Sequence, residues 1–160
     1  MAPRREIIVM PRKSSKKRAA ADRRQGKSAS TQAGEFVHEE IDNIRAGKHG
    51  ARSAKQAIAI GLSKARRAGV KLPPPKKGST SAATRKKAEQ DSAKGRNPSR
   101  KVSRKRSQAT IKALKRESGK SASKSALSRQ AHAAASKRTS AERSAAARKA
   151  ARTRSKKLKA

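Results

Sequence analysis

The chain has no cysteine, no tryptophan and no tyrosine, and Phe36 is the single phenylalanine among 160 residues. Without cysteine there can be no disulfides, thiolate zinc sites or cysteine nucleophiles, and nothing marks an oxidising compartment. Without aromatics there is no core built on large side chains and no ring platform on which single-stranded bases could stack. Acidic residues are scarce: 10 against 46 Lys and Arg, a net charge of +36 and an isoelectric point near 12.0. Long apolar runs are missing as well. Ile7-Ile8-Val9-Met10 falls short of the roughly 7–15 residues of a signal-peptide core and runs into Pro11, so a cytoplasmic chain is expected. Composition allows at most a small folded island within a solvated polycation.

The charge is uneven. Residues 1–28 carry +8, residues 29–77 carry +6 and residues 78–160 carry +22. The middle segment also holds most of the large apolar residues, including Phe36, Val37, Ile41, Ile44, Ile58, Leu62 and Val70, so the core is expected there.

From about Gln32 to Ala46, the spacing of Ala33, Val37, Ile41 and Ile44 predicts a helix, with Ser30 or Thr31 as its cap and Gly47 as its terminator. Ser53 with Gln56 forms a capping box for a second helix, whose narrow stripe runs through Ala54, Ala57, Ile58, Gly61, Leu62 and Ala65. Gly69 ends it, Val70 supplies the contact that accompanies a glycine cap, and Pro73-Pro74-Pro75 blocks continuation. The short connection over residues 47–52 makes the two helices antiparallel neighbours. Glu35, Glu39 and Glu40 then lie near Lys64, Arg66 and Arg67, each exposed pair being worth about 0.2–1 kcal/mol. Ala54, Ala57 and Gly61 permit close approach. A hairpin of this length rarely buries enough to fold alone, so self-association or docking of a tail helix is expected to complete it.

The organisation read from the sequence is therefore mostly α. A disordered basic arm over 1–28 precedes a two-helix hairpin over 29–72, possible homodimer included, and a proline-rich linker over 73–80 leads into a cationic tail over 81–160. Within the tail, residues 108–117, 125–136 and 140–152 have helical potential, the last behind a Thr139/Glu142 capping box. Ala stands where Leu or Ile would build a core, and clustered cations repel, so these segments are expected to be frayed or disordered in free solution.

No catalytic constellation is present. His38, His49 and His132 lie in separate segments without metal-ligand spacing, Glu39-Glu40 beside His38 reads as a solvated acidic face, and neither a P-loop nor GxGxxG occurs. A non-enzyme without cofactor or metal is expected.

The cations carry the functional signal. Clusters such as Lys16-Lys17-Arg18, Arg85-Lys86-Lys87 and Arg104-Lys105-Arg106 suit phosphates, which release counterions on neutralisation and give affinity without base readout. Duplex DNA is the favoured partner; RNA, double-stranded or ribosomal and bound through its backbone, is the alternative, as is a plasmid-maintenance interaction module. Membrane insertion is not expected, because the tail helices present Ala on their apolar sides. A sequence-reading helix-turn-helix through Ala57 and Gly61 fails in frame, since a position that must be buried falls on Arg67. In the hairpin, Lys48, Arg52, Lys55, Lys64, Arg66, Arg67 and Lys71 are the candidate phosphate contacts. In the tail they are Arg104, Lys105, Arg106, Lys112, Lys115 and Arg116, then Arg148, Lys149, Arg152 and Arg154.

The segment GEFVHEEIDNIRAGKHGARSAKQAIAIGLSKARRAGVKLPPPKKG, residues 34–78, resembles the shared block of a family of small, strongly basic bacterial proteins labelled DNA-binding, histone-like or plasmid stabilisation proteins. The tail segments SQATIKALKRESGKSASKSALSRQAHAAASKR and SAERSAAARKAARTRSK are similar to that family's later portion. The tail is also similar in composition to linker-histone tails, but Pro98 is its only proline after residue 78. The resemblance implies a bacterial, nucleoid-associated, nucleic-acid-binding protein and supplies no established site residue. Met10 followed by Pro-Arg-Lys-Ser looks like an alternative start.

Overall fold

In a computed structural model, the structure describes residues 14–97 and 103–158, with side chains through residue 155. Residues 1–13 of the N-terminal arm expected over 1–28, with the apolar run at 7–10, lie outside the described residues. Seven α-helices occur among them: α1 Ser15–Arg24, α2 Ala29–Arg45, α3 Ala54–Arg67, α4 Ala82–Arg96, α5 Arg104–Lys115, α6 Lys124–Ser136 and α7 Ser140–Leu158. A 3-10 turn, Gly119–Ala122, precedes α6. Among the described residues there is no β-strand, only an isolated bridge between Lys77 and Thr80.

Local chemistry places the hairpin. Ser28 Oγ accepts the Thr31 N–H at 3.3 Å, so α2 begins earlier than the Ser30 or Thr31 cap predicts. Gly26, at φ +68°, turns the chain between α1 and α2 and sets that earlier start. Gly47 and Gly69 end α2 and α3 in the left-handed conformation, as their positions predict. At the start of α3, Ser53 Oγ accepts the Gln56 N–H at 3.2 Å, while Gln56 Oε1 accepts from Arg52 N–H at 2.7 Å. The predicted capping box thus forms, with its return bond shifted one residue upstream. Gly61 marks the crossing of α2 and α3, where a Cβ would stand 2.6 Å from Val37 Cα.

The core is built largely from methyl groups. One cluster joins Ala19 of α1, Ala33 and Phe36 of α2, Ala65 of α3, and Val70. The other joins Ile44, Ala51, Ala57 and Ala122, with Ile41 against it. A buried methyl group is worth about 0.8 kcal/mol, against about 1.5–3 kcal/mol for a buried Leu or Phe. Small side chains compensate by letting backbones meet closely.

Two elements correct the expectation of an isolated hairpin between disordered flanks. Helix α1, within the stretch read as a disordered arm, packs on α2, and α4, within the stretch read as tail, packs on α3. Neither has the large apolar residues that would announce a core helix. Polar anchors hold them instead. The Ser15 N–H donates to the Glu39 carboxylate at 2.9 Å, and Arg18 pairs with Glu35. On the other side Asp91 of α4, 1% exposed, accepts from Ser63 Oγ at 2.5 Å and faces Arg67 Nε at 3.7 Å. A Cβ at Gly95 would overlap the Arg66 carbonyl, so glycine is what lets the end of α4 seat against α3. The tail is corrected in the same way: α5, α6 and α7 are formed helices, and the 3-10 turn and α6 dock on the hairpin.

Cover therefore comes from within the chain, the second of the two remedies predicted for the thin hairpin. Phe36 and Ile44 are buried, and Val37, Ile41, Ile58 and Leu62 are half-buried. Ile111 of α5, 47% exposed, is the large apolar side chain left open among the described residues.

Candidate nucleic-acid interface

The fold sorts the hairpin's cations into two groups. At the C-terminal end of α3 they are engaged internally. Lys64 pairs with Glu40, whose side chain is fully buried and also faces His49 Nε2 at 3.4 Å. Arg67 lies against Asp91 and hydrogen-bonds to the Ser63 carbonyl and hydroxyl. Arg66 is itself buried and donates to the Pro73 carbonyl at 3.2 Å. Burial lowers its pKa from the usual guanidinium value, with the nearby Asp91 charge opposing that effect. Of the seven hairpin candidates, Arg66 is the one turned inward, a placement its cationic surroundings in the sequence did not suggest.

The remaining hairpin candidates face solvent. Lys48 is exposed and donates to Asn43 Oδ1 at 2.9 Å. Lys55 and Lys71 are exposed. Arg52, with its side chain 82% exposed, stands 3.8 Å from the Glu117 carboxylate.

Several acidic residues that sequence position alone would scatter are drawn into the packed unit. Glu39 receives hydrogen bonds from the Ser15 side chain and backbone, the former the stronger influence, and Lys64 and Arg18 add favourable charge. Together these outweigh its desolvation and lower its pKa from the ordinary value. Asp22, nearly buried, takes a bond from Lys27 Nζ at 2.6 Å.

The tail candidates stand on two exposed helices. In α5 and its cap, Arg104, Lys105, Lys112, Lys115 and Arg116 fall within about 120° of arc at 100° per residue, with Ile111 bordering that arc beside Arg104, Leu114 farther round the helix, and Arg106 off that face. In α7, the exposed cations Arg148, Lys149 and Arg152 share about 100° of arc at 100° per residue, and Arg154 lies on the other side of the helix. Its predicted capping box is present: Thr139 N–H donates to Glu142 Oε2 at 3.0 Å, and Glu142 N–H to Thr139 Oγ1 at 3.2 Å. The backbone bond from Thr139 is the main cause that lowers the Glu142 pKa.

Folding also brings together residues that sequence reasoning kept apart. A groove of about 470 Å³ runs between the first turn of α3 and the docked 3-10 turn and α6, with Arg52, Lys55, Lys120 and Arg129 among its walls. Lys120 and Arg129 were not singled out in the sequence. The available signal was the break at Glu117-Ser118-Gly119 followed by the Ser123 cap, which predicts a turn but not its docking site.

Among the described residues no group of His, Asp and Glu is arranged to hold a metal ion, and no helix is long and apolar enough to cross a membrane. The model of a family of unknown function, DUF6496, matches residues 24–77, about a third of the chain. That span contains α2 and α3 and overlaps the block that carries the resemblance, without a functional label of its own. No curated protein and no solved structure matches the chain.

Proposed function

We propose that the protein binds and coats duplex DNA without strong sequence preference, through phosphate contacts made by its exposed cations. The observation that carries this reading is the partition of charge. The carboxylates of Glu35, Glu39, Glu40 and Asp91 are engaged within the packed unit, whereas the cations of α5 and those of α7 through Arg154 face solvent. Among the described residues, much of the positive charge thus stands on surfaces that a polyanion can reach. Association with a regular array of phosphates releases condensed counterions, and this drives binding without reading bases. Scarcity of aromatics favours a duplex over an unpaired strand, whose recognition relies on base stacking. On this reading the protein is a nucleoid-associated, histone-like component and not an enzyme.

Fluorescence anisotropy with full-length protein and duplexes of unrelated sequence tests the proposal, alongside double-stranded RNA of equal length. Dissociation constants within about tenfold across the DNA set, a spread of about 1.4 kcal/mol, are expected. A preference above about a hundredfold for one duplex, which base contacts could supply at about 2.7 kcal/mol, would replace coating with sequence reading. Systematically tighter binding to the RNA would move the function to an RNA-associated role.

A further inference from the structure

The groove between the first turn of α3 and the segment running from the 3-10 turn into α6 has the chemistry of a phosphate cradle. It is walled by residues far apart in the chain, with Arg52 and Lys55 on one side and Lys120 and Arg129 on the other. Its lining contains no carboxylate, and the nearest described acidic partner is Glu117, 3.8 Å from Arg52 Nε. Lys55, Lys120 and Arg129 are exposed and have no carboxylate partner among the described residues. The contrast with the opposite end of α3 is direct, since Lys64 and Arg67 there face the buried Glu40 and Asp91.

The rest of the lining decides what kind of anion fits. Ala54, Ala126 and Ala133 are small, and Ser53, Ser121 and Gln130 offer hydrogen bonds. No aromatic or bulky apolar side chain is there to stack on a nucleobase. A volume of about 470 Å³ falls within the roughly 300–1,000 Å³ of small-ligand sites, yet its lining offers no ring on which a base could stack. A sugar-phosphate backbone, with charge at regular intervals and polar oxygens between, satisfies such a lining.

The walls are also fixed relative to each other. Arg45 Nε donates to the Ala122 carbonyl at 2.9 Å, the Gly50 N–H to the Leu114 carbonyl at 2.9 Å, and the Ala51 N–H to the Ser118 carbonyl at 3.2 Å. A Cβ at Gly50 would overlap the Glu117 carbonyl, and Ala122 is fully buried beside Ile44 and Ala57. The backbone positions that carry the four cations are thereby fixed relative to one another before any ligand arrives, which reduces the ordering cost of binding to that of the side chains. The cations of α7 have no such support.

We infer that this groove is the fixed docking site for one strand of the duplex DNA backbone, with Arg52, Lys55, Lys120 and Arg129 contacting consecutive phosphates. The inference rests on the DNA-binding reading above and assigns it a specific place on the folded unit, to which the tail helices add diffuse contacts.

The test compares two full-length variants with the same change in charge, Lys120→Glu with Arg129→Glu in the groove and Arg148→Glu with Arg152→Glu on α7. Affinity for one duplex at several salt concentrations is the readout, with circular dichroism establishing that both variants keep the parent's helix content and melting temperature. The groove variant is expected to lose at least tenfold more affinity than the α7 variant. Equal losses would overturn the docking site while leaving diffuse DNA coating intact, and absence of duplex binding by the parent would overturn the DNA reading and the inference with it. Should the groove variant unfold, acetylation footprinting of the parent protein decides. As salt rises, Lys55 and Lys120 should stay protected by bound duplex after Lys149 has become reactive, and simultaneous exposure of all three would refute the site.

Discussion

Gly61 sets two effects of opposite sign against each other. In a solvent-exposed helix interior, Gly→Ala gains about 1 kcal/mol of helix propensity. Here the added Cβ would meet Val37 Cα at 2.6 Å and a Val37 methyl at 2.9 Å, and overpacking of this kind costs about 1–3 kcal/mol. Backbone cannot step aside as a flexible side-chain end can, so the steric term is expected to win. Gly61→Ala should lower the melting temperature followed by circular dichroism, and a rise would mean that α2 and α3 are less closely packed. Glu39 makes a second prediction at this scale, one that depends on pH. Its folded-state pKa lies below the ordinary 4.5, chiefly because of hydrogen bonds from Ser15. The ionised form therefore stabilises the fold above that ordinary value, and the contribution disappears as pH falls from 4.5 through the lowered folded-state value. Glu39→Gln should flatten this acid limb of the stability curve in urea titrations. An unchanged limb would show that the Ser15–Glu39 contact contributes nothing to the docking of α1.

At the scale of elements, docking of α1 and α4 changes which part of the chain should resist proteolysis. The sequence alone predicts a tryptic core of about residues 28–77. Burial of Ala19 in the same cluster as Phe36, and of Ala88 and Asp91 on α4, predicts a longer one that retains both flanking helices. Mass spectrometry of a limited digest distinguishes the two: α7 should be lost first, and a stable product should contain both Ala19 and Asp91. Early cleavage within α1 or α4 would count against their packing. The reason the sequence revealed α2 and α3 but not these flanks is physical. Phe36, Val37, Ile41, Ile44, Ile58 and Leu62 recur at helical spacing behind recognisable caps, whereas α1 and α4 bury one alanine each and depend on a few polar anchors. Periodicity analysis detects stripes of large apolar residues, and a buried Asp91 looks like any surface acid until Ser63 and Arg67 are placed beside it. The tail helices were partly legible, through alanine content and the Thr139/Glu142 box. The groove was only half legible: Arg52 and Lys55 stood out with the hairpin, but Lys120 and Arg129 join them only through the tertiary bonds of Ala51, Gly50 and Arg45.

For the whole molecule, the share of nucleic-acid affinity contributed by α7 should be separable from stability, because α7 lies outside the packed unit that carries the groove. Helix α7 packs on no other helix to the extent seen between α1 and α2 or α3 and α4, and its described side chains are exposed. Removing residues 139–160 should therefore leave the melting temperature of the remaining protein unchanged. The same deletion removes eight Lys and Arg residues and one Glu. If binding is driven by counterion release, log K falls linearly with log salt, and each engaged phosphate contributes about 0.9 to the slope. Full engagement of those eight cations would make the truncated protein's slope shallower by about 7, and engagement of half by about 4. Discrimination among unrelated duplexes should not change, since phosphate contacts carry no base information. Parallel measurements of melting temperature and salt slope on the parent and the truncated chain decide the matter. A lower melting temperature would place α7 in the fold, and an unchanged slope would place the DNA contacts elsewhere, leaving the groove and α5 to carry them.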